Sequence, residues 1–279
     1  MFAGWGGLAL SVAMPIHPTA IIDPRAELHA SVEIGPYVIV DGPAVLAAGV
    51  RVLGHAQILG RVEVGEECVI GHGAVVGAAP QDLHFDPATP SGVVMGARNV
   101  LREHVTIHRG SKPDSATRLG EGNFLMVGAH LAHDVVLGDR NILANACLLA
   151  GHIVVGNGTF IGGGAVFHQF LRIGDGCVIQ GNGSFGKDIP HFCAAMRTNR
   201  LTGLNVVGLR RAGVDAAARS ALRSAFKQLF CSGLNLSDAL RQARLQPPAC
   251  EPVARLLDFV AQPSKRGICP WRGGAQTED

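Results

Sequence analysis

Val127 to Asp134 reads Val-Gly-Ala-His-Leu-Ala-His-Asp, which sets His130 and His133 three apart with Asp134 beside the second. His152 and His168 follow, the latter with Gln169 as its neighbour. Two chemistries suit such a set. A neutral imidazole, with an unperturbed pKa of ~6.5, can take a proton at neutral pH. Imidazoles are also the commonest zinc ligands, and three of them with a water make a catalytic metal site. The glycine-containing backbone of Ala150-Gly151-His152 could offer an N–H to a developing oxyanion. No Gly-x-Ser-x-Gly and no Ser or Cys in an activated setting is present, which disfavours a covalent intermediate.

The scaffold that must gather these residues is written in a period of six. From Ile16 every sixth residue is aliphatic through Ile22, Leu28, Ile34 and onward to Val76. The phase pauses over 78–94, returns at Met95, Leu101 and Ile107, and pauses again near 109–118. It then runs from Leu119 through Leu125, Leu131 and Leu137 to Ile179. Neither the strand period of two nor the helical period of 3.6 fits. A parallel β-helix of hexapeptide repeats does, three hexads closing one triangular coil. Such a coil takes eighteen residues, so His133, His152 and His168 should fall on nearly the same edge in successive coils, with His130 one step earlier. The two pauses read as loops inserted into the prism.

Past the hexads the pattern changes. Residues 16–190 read as the β-helix and 191–279 as a helical domain, with helical spacing expected from Arg197 onward. Asp215 to Phe230 carries apolar residues at helical spacing. A second helix, capped by Asn235 or Ser237, should end before Pro247-Pro248, and a third should cover Pro252 to Val260. Residues 1–196 hold 11 Lys+Arg against 16 Asp+Glu, and residues 197–279 hold 13 against 6. The basic tail is either a solvated surface or a dock for an acidic or phosphorylated partner.

Composition narrows the class. The net charge of +2 gives no case for a nucleic-acid partner, and no apolar run approaches the ~20 residues of a membrane span. Seven dispersed cysteines suggest reduced thiols and a cytoplasmic location. Residues 1–15 lack the basic start of a secretory signal. They read as a disordered extension that caps the prism, or as sequence upstream of a start at Met14.

Several short motifs occur in order: Gln81-Asp82-Leu83, Val105-Thr106-Ile107-His108-Arg109-Gly110, Ala129 to Asp134, Ala150-Gly151-His152, His168-Gln169-Phe170, Gly203-Leu204-Asn205 and Gly208-Leu209-Arg210-Arg211. Together they resemble the acyl-[acyl-carrier-protein]–UDP-N-acetylglucosamine O-acyltransferase family of lipid A biosynthesis, over about residues 16–268. The resemblance implies a left-handed helix and a homotrimer with sites between subunits. It implies transfer of an (R)-3-hydroxyacyl chain from acyl carrier protein to the 3-hydroxyl of UDP-N-acetylglucosamine. By position, His133 matches the general base, Asp134 its polarising neighbour and Gly151 the oxyanion donor. Asp82, His130, His152, His168, Gln169, Asn205 and Arg211 match substrate-binding positions. No metal or other cofactor is implied. His84, Val207, Ala212 and the stretch from Met196 to Thr202 depart from the family pattern where the nucleotide sugar should bind. A 3-amino or other nucleotide sugar therefore stays open as acceptor. So does a metal-dependent hydratase, because prisms of the γ-carbonic anhydrase type use a similar histidine set.

Overall fold

A computed structural model of the chain describes residues 16–271. The expected capping role of residues 1–15 lies outside them. From Ile21–Ile22 to Ser184–Phe185 the chain lays down strands of two to four residues. Each strand pairs in parallel with the third one before and after it. The result is three sheets of nine, eight and eight strands, the last extended to ten by two later strands, in a left-handed parallel β-helix. Partners such as Ile39↔Gln57 and His130↔Leu148 lie one coil apart.

Each hexad sends two side chains inward. Leu125, Leu131, Leu137, Leu143 and Leu149 stack on the axis, and the residues two places earlier, such as Ala129, Val135 and Cys147, fill the corners. Each fully buried aliphatic side chain contributes about 1.5–3 kcal/mol of transfer free energy. Repetition of the same small layer explains how so few aromatic residues suffice. Ile16, Ile22 and Leu28, at the first coils, remain partly or largely exposed.

The insertions are arranged asymmetrically. The first runs between strands Val75–Ala78 and Gly92–Met95, the second between Thr106–His108 and Ala116–Leu119. Both leave the edge that His133 and Asp134 later occupy between His130–Leu131 and Val136–Leu137. They lengthen the step between partners to 31 residues near Asn99 and to 24 at Thr106↔His130. Two loops are thus placed over one edge while the coils beneath keep their register.

A different edge carries a buried polar ladder that hydropathy alone did not reveal. Asn99 Oδ1 accepts from the Asn123 backbone N–H at 3.0 Å and from its side-chain amide at 2.9 Å. Asn123 Oδ1 does the same for Asn141, Asn141 Oδ1 accepts from Thr159 N–H, and Thr159 Oγ1 accepts from Cys177 N–H. Asn99, Asn123, Asn141 and Thr159 are essentially inaccessible. Each amide supplies the partner that its neighbouring coil's corner would otherwise lack.

The prism closes later than the sequence pattern suggests. Strand Cys193–Met196 adds in parallel to Val178–Ile179, and Arg200–Leu204 then returns antiparallel to it. The helices therefore begin at Val206, not near Arg197. They are α1 (Val206–Arg211), α2 (Ala216–Phe230), α3 (Leu236–Ala243) and α4 (Glu251–Ala261). Asp215 caps α2, and Asn235, not Ser237, caps α3. Leu209, Leu222, Leu229, Leu256 and Leu257 form a second core against Phe192. Arg172 ties the two parts together, pairing with buried Asp188 at 2.8 Å and donating to Gln262 Oε1 at 3.0 Å.

Candidate active site

The edge carrying the insertions turns corners at His133-Asp134, Gly151-His152 and Gln169-Phe170. In each pair the second residue adopts a left-handed backbone, with φ of 59° at Asp134, 60° at His152 and 67° at Phe170. The turn projects side chains outward along the edge. With coils closing at eighteen residues, His133 lies over Gly151, and Asp134 lies over His152 and Phe170. His152 is therefore one residue out of step with His133, and their rings meet edge to face at 5.1 Å and 88°.

Asp134 is the hub. Its Oδ2 accepts from His133 Nδ1 at 2.9 Å, from Ser111 Oγ at 2.6 Å and from the Ser111 backbone N–H at 3.0 Å. Thr117 Oγ1 accepts from the Asp134 backbone N–H at 2.8 Å. Burial pushes the Asp134 carboxyl up, but the hydrogen bonds from Ser111 and His133 outweigh it and hold the group below its ordinary value. An ionised carboxylate only accepts, so the His133 proton is assigned to Nδ1, which leaves the Nε2 lone pair free. The His133 side chain is 19% exposed and that of Asp134 12%.

Gly151 is required by this geometry. A Cβ there would sit 2.6 Å from His133 Cε1 and 2.7 Å from Nε2, inside the ring's own space. Its N–H donates to no backbone carbonyl among the described residues, since the coil-to-coil bond at this corner runs from His152 N–H to His133 C=O. A bare N–H beside an imidazole nitrogen is the arrangement that acyl transfer needs for its oxyanion.

The remaining imidazoles divide. His130 meets His108 edge to face at 4.8 Å and shares a 2.7 Å hydrogen bond with Thr106 Oγ1. Burial, with a smaller contribution from His108, pushes His130 down to about 4. His108 is 7% exposed, its Nδ1 has no partner, and burial together with the nearby His133 charge lowers its pKa. His152 is held below its ordinary value by burial. Asp134 opposes that lowering, and the charges of His133, Lys112 and Lys265 reinforce it. His168 and Gln169 are exposed, with His168 Nδ1 directed to the Gln169 carbonyl at 3.3 Å. No contact among the described residues joins them to His133.

Three further residues expected at the site make no contact with His133 among the described residues. Asp82 is exposed in the first insertion, where its Oδ1 accepts from His84 N–H. Asn205 caps α1 and donates to the Gly176 carbonyl at 2.9 Å. Arg211 is exposed in the last turn of α1. Sequence reasoning missed Ser111, because the second insertion breaks the count of eighteen between it and Asp134. It gave no separate role to Phe170, whose ring stacks on His152 at 4.7 Å and 5°.

His133, Asp134 and His152 could also present donors to a cation, with one ligand atom from each lying within 4.8 Å of the others. Asp134 Oδ2 is committed to three hydrogen-bond donors, however, and would have to give some of them up. The geometry fits proton transfer better.

Residues 188–269 match a family model described as UDP N-acetylglucosamine O-acyltransferase, domain 2. The chain is 41% identical over 256 residues to the acyl-[acyl-carrier-protein]–UDP-N-acetylglucosamine O-acyltransferase of Thermodesulfovibrio yellowstonii, covering 91% of this chain and 98% of that protein. It is 46% identical over 256 residues to the same-named protein of Rickettsia canadensis, covering 91% and 97%. Among solved structures it resembles LpxA from Acinetobacter baumannii, with a TM-score of 0.87 at 35% identity, covering 91% of this chain and 99% of that one.

Proposed function

The chain belongs to the acyl-[acyl-carrier-protein]–UDP-N-acetylglucosamine O-acyltransferase family, and we propose that His133 is the general base of the acyl transfer that opens lipid A biosynthesis. The donor is an (R)-3-hydroxyacyl thioester of acyl carrier protein, and the acceptor is the 3-hydroxyl of UDP-N-acetylglucosamine. His133 Nε2 takes the hydroxyl proton as the sugar oxygen attacks the thioester carbonyl. Asp134 steadies the imidazolium that results. The Gly151 N–H receives the negative charge on the carbonyl oxygen. Collapse expels the thiolate, which recovers the proton from His133, so the products are acylated sugar and free carrier thiol. A thioester is already activated, so a base, an oxyanion donor and positioning suffice. The observation that carries this reading is the 2.9 Å contact of His133 Nδ1 with Asp134 Oδ2, an oxygen that Ser111 anchors from a second direction.

The assembly is a homotrimer with the site in the cleft between prisms. Two observations support this. The outward faces of all three sheets in the middle coils are apolar, with Val136, Val154, Ile142, Phe160, Leu148 and Val166 each 37–45% exposed. Asp82, Asn205 and Arg211 lack contacts to His133 within one chain, so a neighbouring prism would bring them to it. The acidic carrier protein finds exposed Arg210, Arg211, Arg223 and Lys227 on the helical part. The enzyme works in the cytoplasm, and no described helix is long and apolar enough to cross a membrane.

The test is thioester consumption. Acyl carrier protein loaded with a 3-hydroxyacyl chain should lose it only when UDP-N-acetylglucosamine is present, with one acylated sugar formed per thiol released. Consumption without sugar would defeat the reading, and preference for a 3-amino sugar would shift the acceptor. The second reading, metal-assisted hydration, rests on the His133, Asp134 and His152 cluster. Stoichiometric zinc, cobalt or iron in protein purified without chelator would favour it.

A further inference from the structure

His152 stands between two demands. Its Nε2 is 3.8 Å from the same Asp134 oxygen that holds His133, so a protonated His152 would compete for that carboxylate. It would also place a positive charge 5.1 Å from the ring that must accept a proton. Two side chains on separate parts of the chain bear on this. The Phe170 ring lies parallel to His152 and fixes its plane. Lys265, from the segment following α4, places its Nζ 4.4 Å from the Phe170 centroid and forms no ion pair among the described residues.

We propose that Phe170 and Lys265 are positioning residues for the transfer: Phe170 orients the His152 ring, and the Lys265 charge reserves the Asp134 carboxylate for His133. Neither touches the base. The inference rests on the reading of His133 given above. Besides Lys265, the charged and titratable groups that act on His152 are Asp134, His133 and Lys112. Asp134 alone favours the protonated form; burial of the ring opposes it most, followed by His133, Lys112 and Lys265. The arrangement also makes the end of the helical part, seventy and more residues from the last hexads, a contributor to the electrostatics of the edge.

The experiment compares wild type, K265M, K265E and K265R in two readouts: the acid limb of kcat/KM and the His152 titration followed by NMR of the imidazole carbons, with H152Q for assignment. K265E should raise the His152 midpoint and move the acid limb the same way by about half a pH unit, with K265M between and K265R matching wild type. F170L should lower kcat about ten-fold at unchanged KM, and F170Y should restore it. Unmoved midpoint and limb in K265E would overturn the role of Lys265. A change confined to KM would overturn it too, because it would place Lys265 on the substrate. H133A separates the two claims. If that variant turns over normally, the base assignment fails. If it is inactive while the Lys265 and Phe170 series stays flat, only the present inference fails.

Discussion

Two polar rows run along edges of one prism, and they are built to opposite specifications. In the Asn99, Asn123, Asn141 and Thr159 ladder every member is sealed from water, and each side-chain oxygen takes a donor from the next coil. In the row of His108, His130, His133 and His152 all but buried His108 are partly open, and the bonding is incomplete: His108 Nδ1 has no partner, and His133 Nε2 points past a glycine that has no side chain. A satisfied polar row rigidifies its scaffold. An unsatisfied one, held in place by that scaffold, keeps lone pairs available for substrate. The same coil repeat thus yields a strut on one edge and chemistry on another, and the difference lies in whether each polar atom already has its partner.

That contrast can be broken from either side. His133→Ala should reduce turnover about a thousand-fold, the middle of the range for loss of a general base, while thermal unfolding and assembly stay as in wild type. Gly151→Ala should cost about a hundred-fold in kcat, because the added methyl claims the space of the His133 ring. Backbone strain does not enter there, so its circular dichroism should be unchanged. Asn123→Leu should do the reverse. It removes one of the two donors to Asn99 Oδ1, leaves the Asn141 N–H unpaired in the core and should destabilise the fold by about 2 kcal/mol, with kcat per folded site unaltered. Urea unfolding and active-site titration measure the two sides separately.

The smallest effect concerns pH. His191 Nδ1 accepts from the Asp175 backbone N–H at 2.8 Å, a bond that only the neutral ring can accept. Burial holds His191, like His130, down to about 4. An unfolded chain titrates these rings near ~6.5. Between those values the unfolded state binds more protons, so stability rises with pH. It is complete above about pH 6.5 and declines as pH falls toward 4. Tm measured from pH 7.5 to 4.5 should fall at the acid end, and His191→Asn should make that fall shallower.

The hexad phase was legible because Leu125, Leu131, Leu137 and their equivalents face one axis, and a rule of that kind survives any loop. The pairing of His133 with His152 was legible for the same reason, since a nineteen-residue gap differs by one from a coil. That one residue is also why His152 aligns with Asp134 and not with His133. His168 falls one residue short of two coils from His133, on the same edge, and its side chain is exposed. Ser111 lay hidden behind an insertion that resets the count. The ladder left a signal that hydropathy overlooks: Asn123, Asn141 and Thr159 recur at one full coil. Helix α1 was missed because it has only six residues and follows a strand pair that the hexad pattern does not foretell.

Chemical rescue tests the base most directly. With His133 replaced by alanine, added imidazole should restore acyl transfer in proportion to its neutral form and should leave the wild-type rate unchanged. Near-normal transfer by that variant without imidazole would contradict the account.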